Sequence, residues 1–166
     1  EIAIEGDSAF VRTNQERIAE DLRMSVDLEV TVPRGVRVEM RGRGGDYELT
    51  DLDGDVEIAA DRADVRLYRI GGNARVELRR SNLVRAVDLK GNLDLESGRG
   101  NDVELENILG QVVISGAYGG ALEFKNLSKP LRFESRNTEL RVEALPGHIS
   151  MNLSGFKASN LVGPVR

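Results

Sequence analysis

Short apolar triplets recur along the chain at a nearly constant interval. One copy of the pattern reads "VELENILGQVVI", from Val103 to Ile114. It holds an apolar triplet, a lone Leu or Ile five residues after the triplet begins, a glycine two residues later, and then a second triplet. Seven copies align without a gap, and they begin at Tyr47, Val65, Val84, Val103, Leu122, Leu140 and Phe156. Successive copies therefore start 18, 19, 19, 19, 18 and 16 residues apart.

A repeat of this length is typical of a chain that winds in coils, so that equivalent strands stack in parallel about 4.8 Å apart. Side chains alternate across a strand, so the ends of each triplet point inward and its middle residue points outward. Three inward columns result, from the first triplets, the lone Leu or Ile and the second triplets. We predict an all-β, single-stranded parallel β-solenoid (β-helix) of about seven coils of 18–19 residues, preceded by an N-terminal β element.

Two kinds of residue mark the predicted corner between the triplets. A short polar residue precedes the Leu or Ile in five copies, at Asp51, Asp88, Asn107, Asn126 and Asn160. Glycine follows two residues after the Leu or Ile in six copies, at Gly54, Gly72, Gly91, Gly110, Gly147 and Gly163, and Lys129 before Pro130 is the exception. We expect the polar side chains to bond nearby backbone and the glycines to supply positive φ.

The outward residue of the first triplet is charged in every copy. The column reads Glu48, Arg66, Arg85, Glu104, Glu123, Arg141 and Lys157. Three of its six steps pair opposite charges and three pair like charges, which is typical of a solvated face whose pairs each contribute about 0.2–1 kcal/mol.

The region before the repeats has a different pattern of apolar and polar residues. "EIAI" and "SAFVR" are typical of short strands, and "SVDLEVTV" alternates strictly from Val26 to Val32. The polar "NQERIAEDLRM" fits helix, loop or strand. We predict a β capping element over residues 1–45 and solenoid repeats over 46–166, with the seventh coil cut inside its second triplet. An unfinished coil suggests that the chain continues or that another molecule stacks on that end.

The stretch "TDLDGDVEI", from Thr50 to Ile58, offers a calcium loop as an alternative to a turn. Asp51, Asp53 and Asp55 are alternate carboxylates, but the EF-hand positions for glycine and for the bidentate glutamate hold Val56 and Arg62. The same corner recurs in copies without an acidic cluster. We therefore predict a structural turn that leads into a strand.

Composition narrows the classes of function. The 166 residues are 40% hydrophobic and 4% aromatic, with 18 Gly, no Cys and a formal charge of −5. The net negative charge argues against binding to nucleic acid or to anionic membrane surfaces, because both attract clusters of Lys and Arg. The absence of cysteine excludes a disulfide framework and a thiol nucleophile. No apolar run approaches the 18 residues of a membrane-spanning helix, and the printed sequence contains no signal-peptide pattern. The chain opens on Glu1 without a methionine, so processing can have removed such a segment.

The candidate catalytic residues are few. His148 is the only histidine and follows the Pro146-Gly147 corner. Ser150 and Ser154 lie nearby in sequence, but nothing resembles a nucleophile elbow. "RGRGG" at 41–45 and "SGRGND" at 97–102 are interpreted as corners rather than as binding motifs. We predict no catalytic residue, no cofactor and no metal site.

The segment "VPRGVRVEMRGRGGDYELTDLDGDVEI", with its strand, Pro-x-Gly turn and triplets led by Gly-Asp, resembles a bacterial adhesin-like family of unknown function whose domain has been called toastrack. The similarity runs from about Val26 to the end. Proteins of that family are single-stranded β-solenoids that are usually exported or attached to the outer side of a membrane. The resemblance therefore implies a non-catalytic, extracytoplasmic module in the cell envelope, and it transfers no catalytic residues.

Three hypotheses follow. The first is an envelope-associated binding, adhesion or stress-sensing module whose flat faces contact protein or glycan partners, without nucleic acid and without insertion of this segment into a membrane. The second is a structural protein that forms homo-oligomers by end-to-end stacking. The third is a sugar-processing β-helix enzyme, which would need paired carboxylates on one face.

Overall fold

A computed structural model describes residues 2–5, 8–11, 27–136, 140–144, 149–152 and 157–159. The chain divides into two compact units, Glu1–Thr31 and Val32–Arg166. In the first unit, β1 (Ile2–Glu5) and β2 (Ser8–Val11) form an antiparallel pair in which Ile2 lies opposite Val11. The two strands predicted from "EIAI" and "SAFVR" are therefore confirmed.

The second unit is the predicted β-solenoid. Its strands are β3 (Val38–Leu52), β4 (Val56–Ile70), β5 (Ala74–Leu89), β6 (Leu93–Ile108), β7 (Val112–Tyr118), β8 (Ala121–Leu127), β9 (Leu131–Ser135), β10 (Leu140–Ala144), β11 (Ile149–Asn152) and β12 (Lys157–Ser159). Strands β3 to β6 each have 15 or 16 residues and follow the chain around most of one coil. Parallel pairing from β3 through β9 builds about five turns.

The three inward columns have the predicted register. Ile70 pairs with Leu89, and Leu89 pairs with Ile108, each at most 1% exposed. Val84 and Val103 form a matching step of the first-triplet column and are equally buried. The core is one continuous stack of Val, Leu, Ile and Ala that ends with the aromatic rings of Phe124 and Phe133. Each inward residue rests on another inward residue one coil away, and small residues such as Ala86 stack between larger ones such as Leu67 and Leu105.

The prediction of about seven parallel coils was wrong in its last two copies. The sixth copy begins in β10, which runs antiparallel to β9, with Leu140 opposite Ser135. Strand β11 runs antiparallel to β8, and β12 runs antiparallel to β11. Of the seventh copy, only residues 157–159 are described. The alternation of apolar and polar residues is the same in both strand directions, so the repeat alone did not reveal the reversal.

A ladder of polar side chains follows the corner between the triplets from coil to coil. Asp55 Oδ1 accepts a hydrogen bond from the backbone N–H of Asn73 at 2.8 Å, and Asn73 and Asn92 repeat this bond to the next coil at 2.9 and 2.8 Å. The next residue in this column is Pro130, which has no N–H to donate. Gln111 instead donates its side-chain amide to the carbonyl of Pro130. The polar ladder therefore ends one coil before the strands reverse.

Positive φ lies at a different residue from the one predicted. The non-glycine residues with left-handed backbone in the described chain immediately precede the Leu or Ile of each coil, and they are Asp51, Arg69, Asp88, Asn107 and Asn126, with φ between 52° and 60°. Four of the five are Asp or Asn, the side chains that best tolerate this region. The corner glycines have another role, since a Cβ on Gly72 or Gly91 would collide with the carbonyl of the glycine one coil before it. They permit close approach between coils.

The segment before β3 also differs from its prediction. Residues 27–37 contain a turn at Arg34 and Gly35 but no strand. Leu28, Val30 and Val32 are exposed by 56, 50 and 36%. Alternation specifies which side chains share a face, but a strand also needs a hydrogen-bonded neighbour, and no strand in the described residues pairs with this segment. The predicted boundary between residues 45 and 46 falls inside β3, and the capping role of residues 1–45 stays a prediction.

Candidate functional site

The exposed chemistry of the solenoid lies on its faces and corners, because its interior is filled by apolar side chains. On the face of the first triplets, Arg85 pairs with Glu104 of the next coil, with 3.5 Å between Nε and Oε2. Arg66 lies 4.0 Å from Asp46, and Lys125 pairs with Glu123 along the same strand at 3.0 Å. The side chains of this column in β10 and β12 lie outside the described residues. The face is a mixed-charge surface, as the sequence indicated.

The face of the second triplets has similar ion pairs and a shallow depression. Arg37 pairs with Glu57 of the next coil at 2.6 Å, and Arg75 pairs with Glu77 of its own strand at 2.6 Å. The depression has a volume of about 290 Å³ and lies beside these pairs, with Asn73 and Asp94 among its lining residues. A groove of this kind can contact an extended partner, but it does not enclose a small molecule.

The acidic stretch of the calcium hypothesis forms the connection between β3 and β4, as predicted. Arg69 donates two hydrogen bonds to Asp51, at 2.7 and 2.9 Å, and these bonds hold the pKa of the Asp51 carboxyl below its ordinary value. Asp55 accepts the backbone hydrogen bond from Asn73. Within the described part of the chain, no group of three or more Asp, Glu, His or Cys side chains is arranged to hold a metal ion.

The predicted catalytic candidates are not brought together in the described residues. His148 and Ser154 lie outside the described residues, and Ser150 is described only as backbone of β11, opposite Glu123 of β8. The structure adds a buried polar layer that sequence reasoning missed, at Ser81, Ser97 and Ser135. Ser97 is fully buried, and its hydroxyl has no hydrogen-bond partner among the described residues. A serine without an oriented base lacks the activation that nucleophilic catalysis needs.

Tyr118 lies in the interior beside this layer of buried serines. Its ring is fully buried and lies 5.6 Å from the ring of Phe133, centroid to centroid. Burial, and secondarily the charge of Glu96, raises the pKa of the Tyr118 phenol well above its ordinary value of 10.0. A raised pKa keeps the phenol neutral, so Tyr118 is a core residue rather than a candidate base.

A column of arginines lies at the corner between the second triplet and the next first triplet. Arg62 of β4 pairs in register with Arg80 of β5, which pairs with Arg99 of β6. All three side chains are exposed. The twelve-residue repeat used in the sequence analysis ends at the second triplet and therefore leaves this column out, although each arginine lies 15 residues after the start of its first triplet, at Tyr47, Val65 and Val84. Counting six residues from the start of each second triplet, at Val56, Ala74 and Leu93, would have found it.

No family model, curated protein or solved structure matches the chain. Among the described residues there is also no helix with the length and apolar character needed to cross a membrane.

Proposed function

We propose that the protein is a non-catalytic binding module of the cell envelope, with the flat faces of its β-solenoid presented to protein or glycan partners. The observation that carries the proposal is the register of the outward side chains. From β3 to β6, equivalent exposed residues follow one another at the spacing of parallel strands, about 4.8 Å. A partner with its own linear repeat can contact several coils at once, so weak contacts add up along the stack.

The chemistry of the faces supports binding over catalysis. Ion pairs such as Arg37–Glu57 and Arg85–Glu104 engage the charged side chains, and the second-triplet depression is shallow. The resemblance to adhesin-like toastrack domains supports an extracytoplasmic location and an adhesion or stress-sensing role. A sugar-processing enzyme remains the third candidate, and turnover of a polysaccharide would establish it.

Self-assembly is the second candidate, and one observation favours it. Among the described residues, β3 has a strand neighbour on one side only, so its other edge offers unpaired backbone groups. The other end of the parallel stack argues against continued parallel stacking of further copies, because β10 pairs antiparallel with β9 and β11 pairs antiparallel with β8. A stack of identical copies would need matching parallel edges at both ends.

The test is an array of neutral and charged polysaccharides probed with the purified chain, followed by an assay for new reducing ends in every polysaccharide that binds. We expect retention on at least one envelope-type polysaccharide without shortening of the polymer. Release of reducing ends would make the protein an enzyme. Failure to bind any glycan, together with growth into rods at high concentration, would make it a structural subunit.

A further inference from the structure

The arginine column, defined as Arg62, Arg80 and Arg99, is a like-charge ladder on three successive coils. The register places each arginine directly beside the next across a parallel strand pair. Neighbouring strands lie about 4.8 Å apart, and like charges in this position destabilise a sheet. Elsewhere, adjacent coils often place opposite charges together, as in Arg69–Asp51 and Arg85–Glu104. The column therefore lacks the compensation seen on the other surfaces.

The acidic side chains of the same corner are already engaged. Asp61 pairs with Arg79 at 3.3 Å. Asp64 accepts the backbone N–H groups of Asn82 and Leu83 at 2.9 and 3.1 Å, and Asp102 accepts that of Ala121 at 2.9 Å. No ion pair or hydrogen bond joins the three guanidinium groups of the column to another described residue. Their donors face solvent.

We propose that the arginine column binds a linear anionic polysaccharide, with successive acidic groups of the polymer lying along successive coils. A guanidinium binds a carboxylate or sulfate through two parallel N–H donors, which gives direction as well as charge. A rigid backbone fixes the spacing of the three groups, so the ordering cost of binding is reduced. This inference rests on the proposed binding function and assigns the class of its ligand.

The surroundings of the column favour a polysaccharide over other polyanions. Proteins that bind single-stranded nucleic acids stack bases on aromatic rings, whereas this chain is 4% aromatic and carries a net charge of −5. An anionic membrane attracts a broad basic surface, and here Asp61 lies next to Arg62 and holds the neighbouring Arg79 in an ion pair, so the unpaired arginines form a single column. A single extended polymer strand with an acidic group on each sugar can lie along a column of this width.

The experiment compares two triple variants by titration with polygalacturonate of defined length. The test variant is Arg62→Gln, Arg80→Gln, Arg99→Gln. The matched control is Arg69→Gln, Lys90→Gln, Lys129→Gln, which removes the same charge from exposed residues at the corner between the first and second triplets. We expect the test variant to lose affinity by about ten-fold or more, the factor that results when three exposed charge contacts are lost together. The control should change by less than three-fold, and added salt should weaken the wild type more than the test variant.

Four results would overturn the proposal. They are equal losses in the two variants, undiminished binding by the test variant, tighter binding of the wild type to a single-stranded oligonucleotide or to phosphatidylglycerol vesicles, and no binding to polygalacturonate. Neutral polysaccharides and methyl-esterified polygalacturonate are titrated in parallel. Binding to these without binding to the acid form would remove this inference and leave the proposed function standing. Thermal unfolding of each variant confirms folding, and the test variant should be at least as stable as the wild type because a like-charge repulsion is removed.

Discussion

The corner glycines show how a single hydrogen atom in place of a side chain determines the distance between coils. A Cβ on Gly91 would meet the carbonyl oxygen of Gly72 and lie 2.7 Å from the backbone nitrogen of Asn73. Neither atom can move without disturbing the polar ladder, in which Asn73 takes part through its backbone and its side chain. The glycine is therefore required by contact with the neighbouring coil rather than by its own φ.

We expect Gly91→Ala to lower the free energy of unfolding by about 1–3 kcal/mol or more, because the added methyl group overpacks a backbone contact. The measurement is denaturant unfolding followed by circular dichroism. Gly119→Ala is the matched control, since a Cβ there meets nothing within 4 Å. Its effect should stay below about 1 kcal/mol in either direction. Equal effects from the two changes would contradict the close-contact explanation.

Tyr118 makes the free energy of unfolding fall at alkaline pH. Burial raises the pKa of its phenol in the folded state, so the unfolded chain releases this proton first as the pH rises. The stabilisation is complete below the ordinary pKa of 10.0 and is lost progressively above it. We expect the unfolding free energy of Tyr118→Phe to fall less steeply above pH 10 than that of the wild type. Parallel alkaline slopes in the two proteins would show that the phenol is not responsible.

The stability of the strands depends on the packing of the inward columns. Ile108 lies fully buried between Leu89 and Leu127 of the neighbouring coils. We expect Ile108→Asp to destabilise the protein by about 3 kcal/mol or more, because it places a carboxyl group among apolar side chains without a partner. Glu104→Gln, on the outward side of the same strand, should cost less than about 1 kcal/mol. Denaturant midpoints measure both, and similar small effects would refute the register.

The reversal of direction at β10 can be tested by cross-linking, since the chain has no cysteine of its own. Glu134 and Arg141 are directly opposite in the antiparallel pair of β9 and β10, where Cα atoms lie about 4.5–5.5 Å apart, within disulfide range. We expect Glu134→Cys with Arg141→Cys to form a disulfide under mild oxidation. Glu123→Cys with Arg141→Cys would bridge only in a parallel sixth coil, and it should stay reduced. The reverse result would restore the stacking predicted from the repeats.

The repeat allowed much of the solenoid to be predicted, because evenly spaced apolar positions stack above one another when the chain winds in coils. Val84, Leu89 and Leu93 belong to three columns that only a coiled chain brings together. The spacing could not show the direction of Leu140–Ala144, since the same alternation and a four-residue connection suit a hairpin as well as a coil corner. The arginine column escaped prediction for a different reason. Arg62 and Arg80 lie at the same distance from the start of their copies, but beyond the second triplet, where the aligned repeat ended.

For the whole molecule, the two ends of the solenoid determine whether copies associate. The antiparallel strands β10 and β11 cover the strand edges of β9 and β8. We expect sedimentation of the purified chain to give a monomer across a wide range of concentration, because parallel stacking needs compatible edges on both partners. Concentration-dependent growth, with rods in electron micrographs, would favour the structural role over the binding module.

The glycine contacts have a consequence for how such a protein changes over generations. Gly54, Gly72, Gly91 and Gly110 lie at equivalent positions in successive coils, and the backbone of each coil in the parallel stack pairs only with the coils beside it. Duplication of a 19-residue unit such as Val84–Asp102 would therefore insert a coil whose neighbours are already compatible, while the strands that end the stack stay unchanged. A gene segment of this length encodes one unit of structure, so the length of the solenoid faces can evolve in steps of one coil.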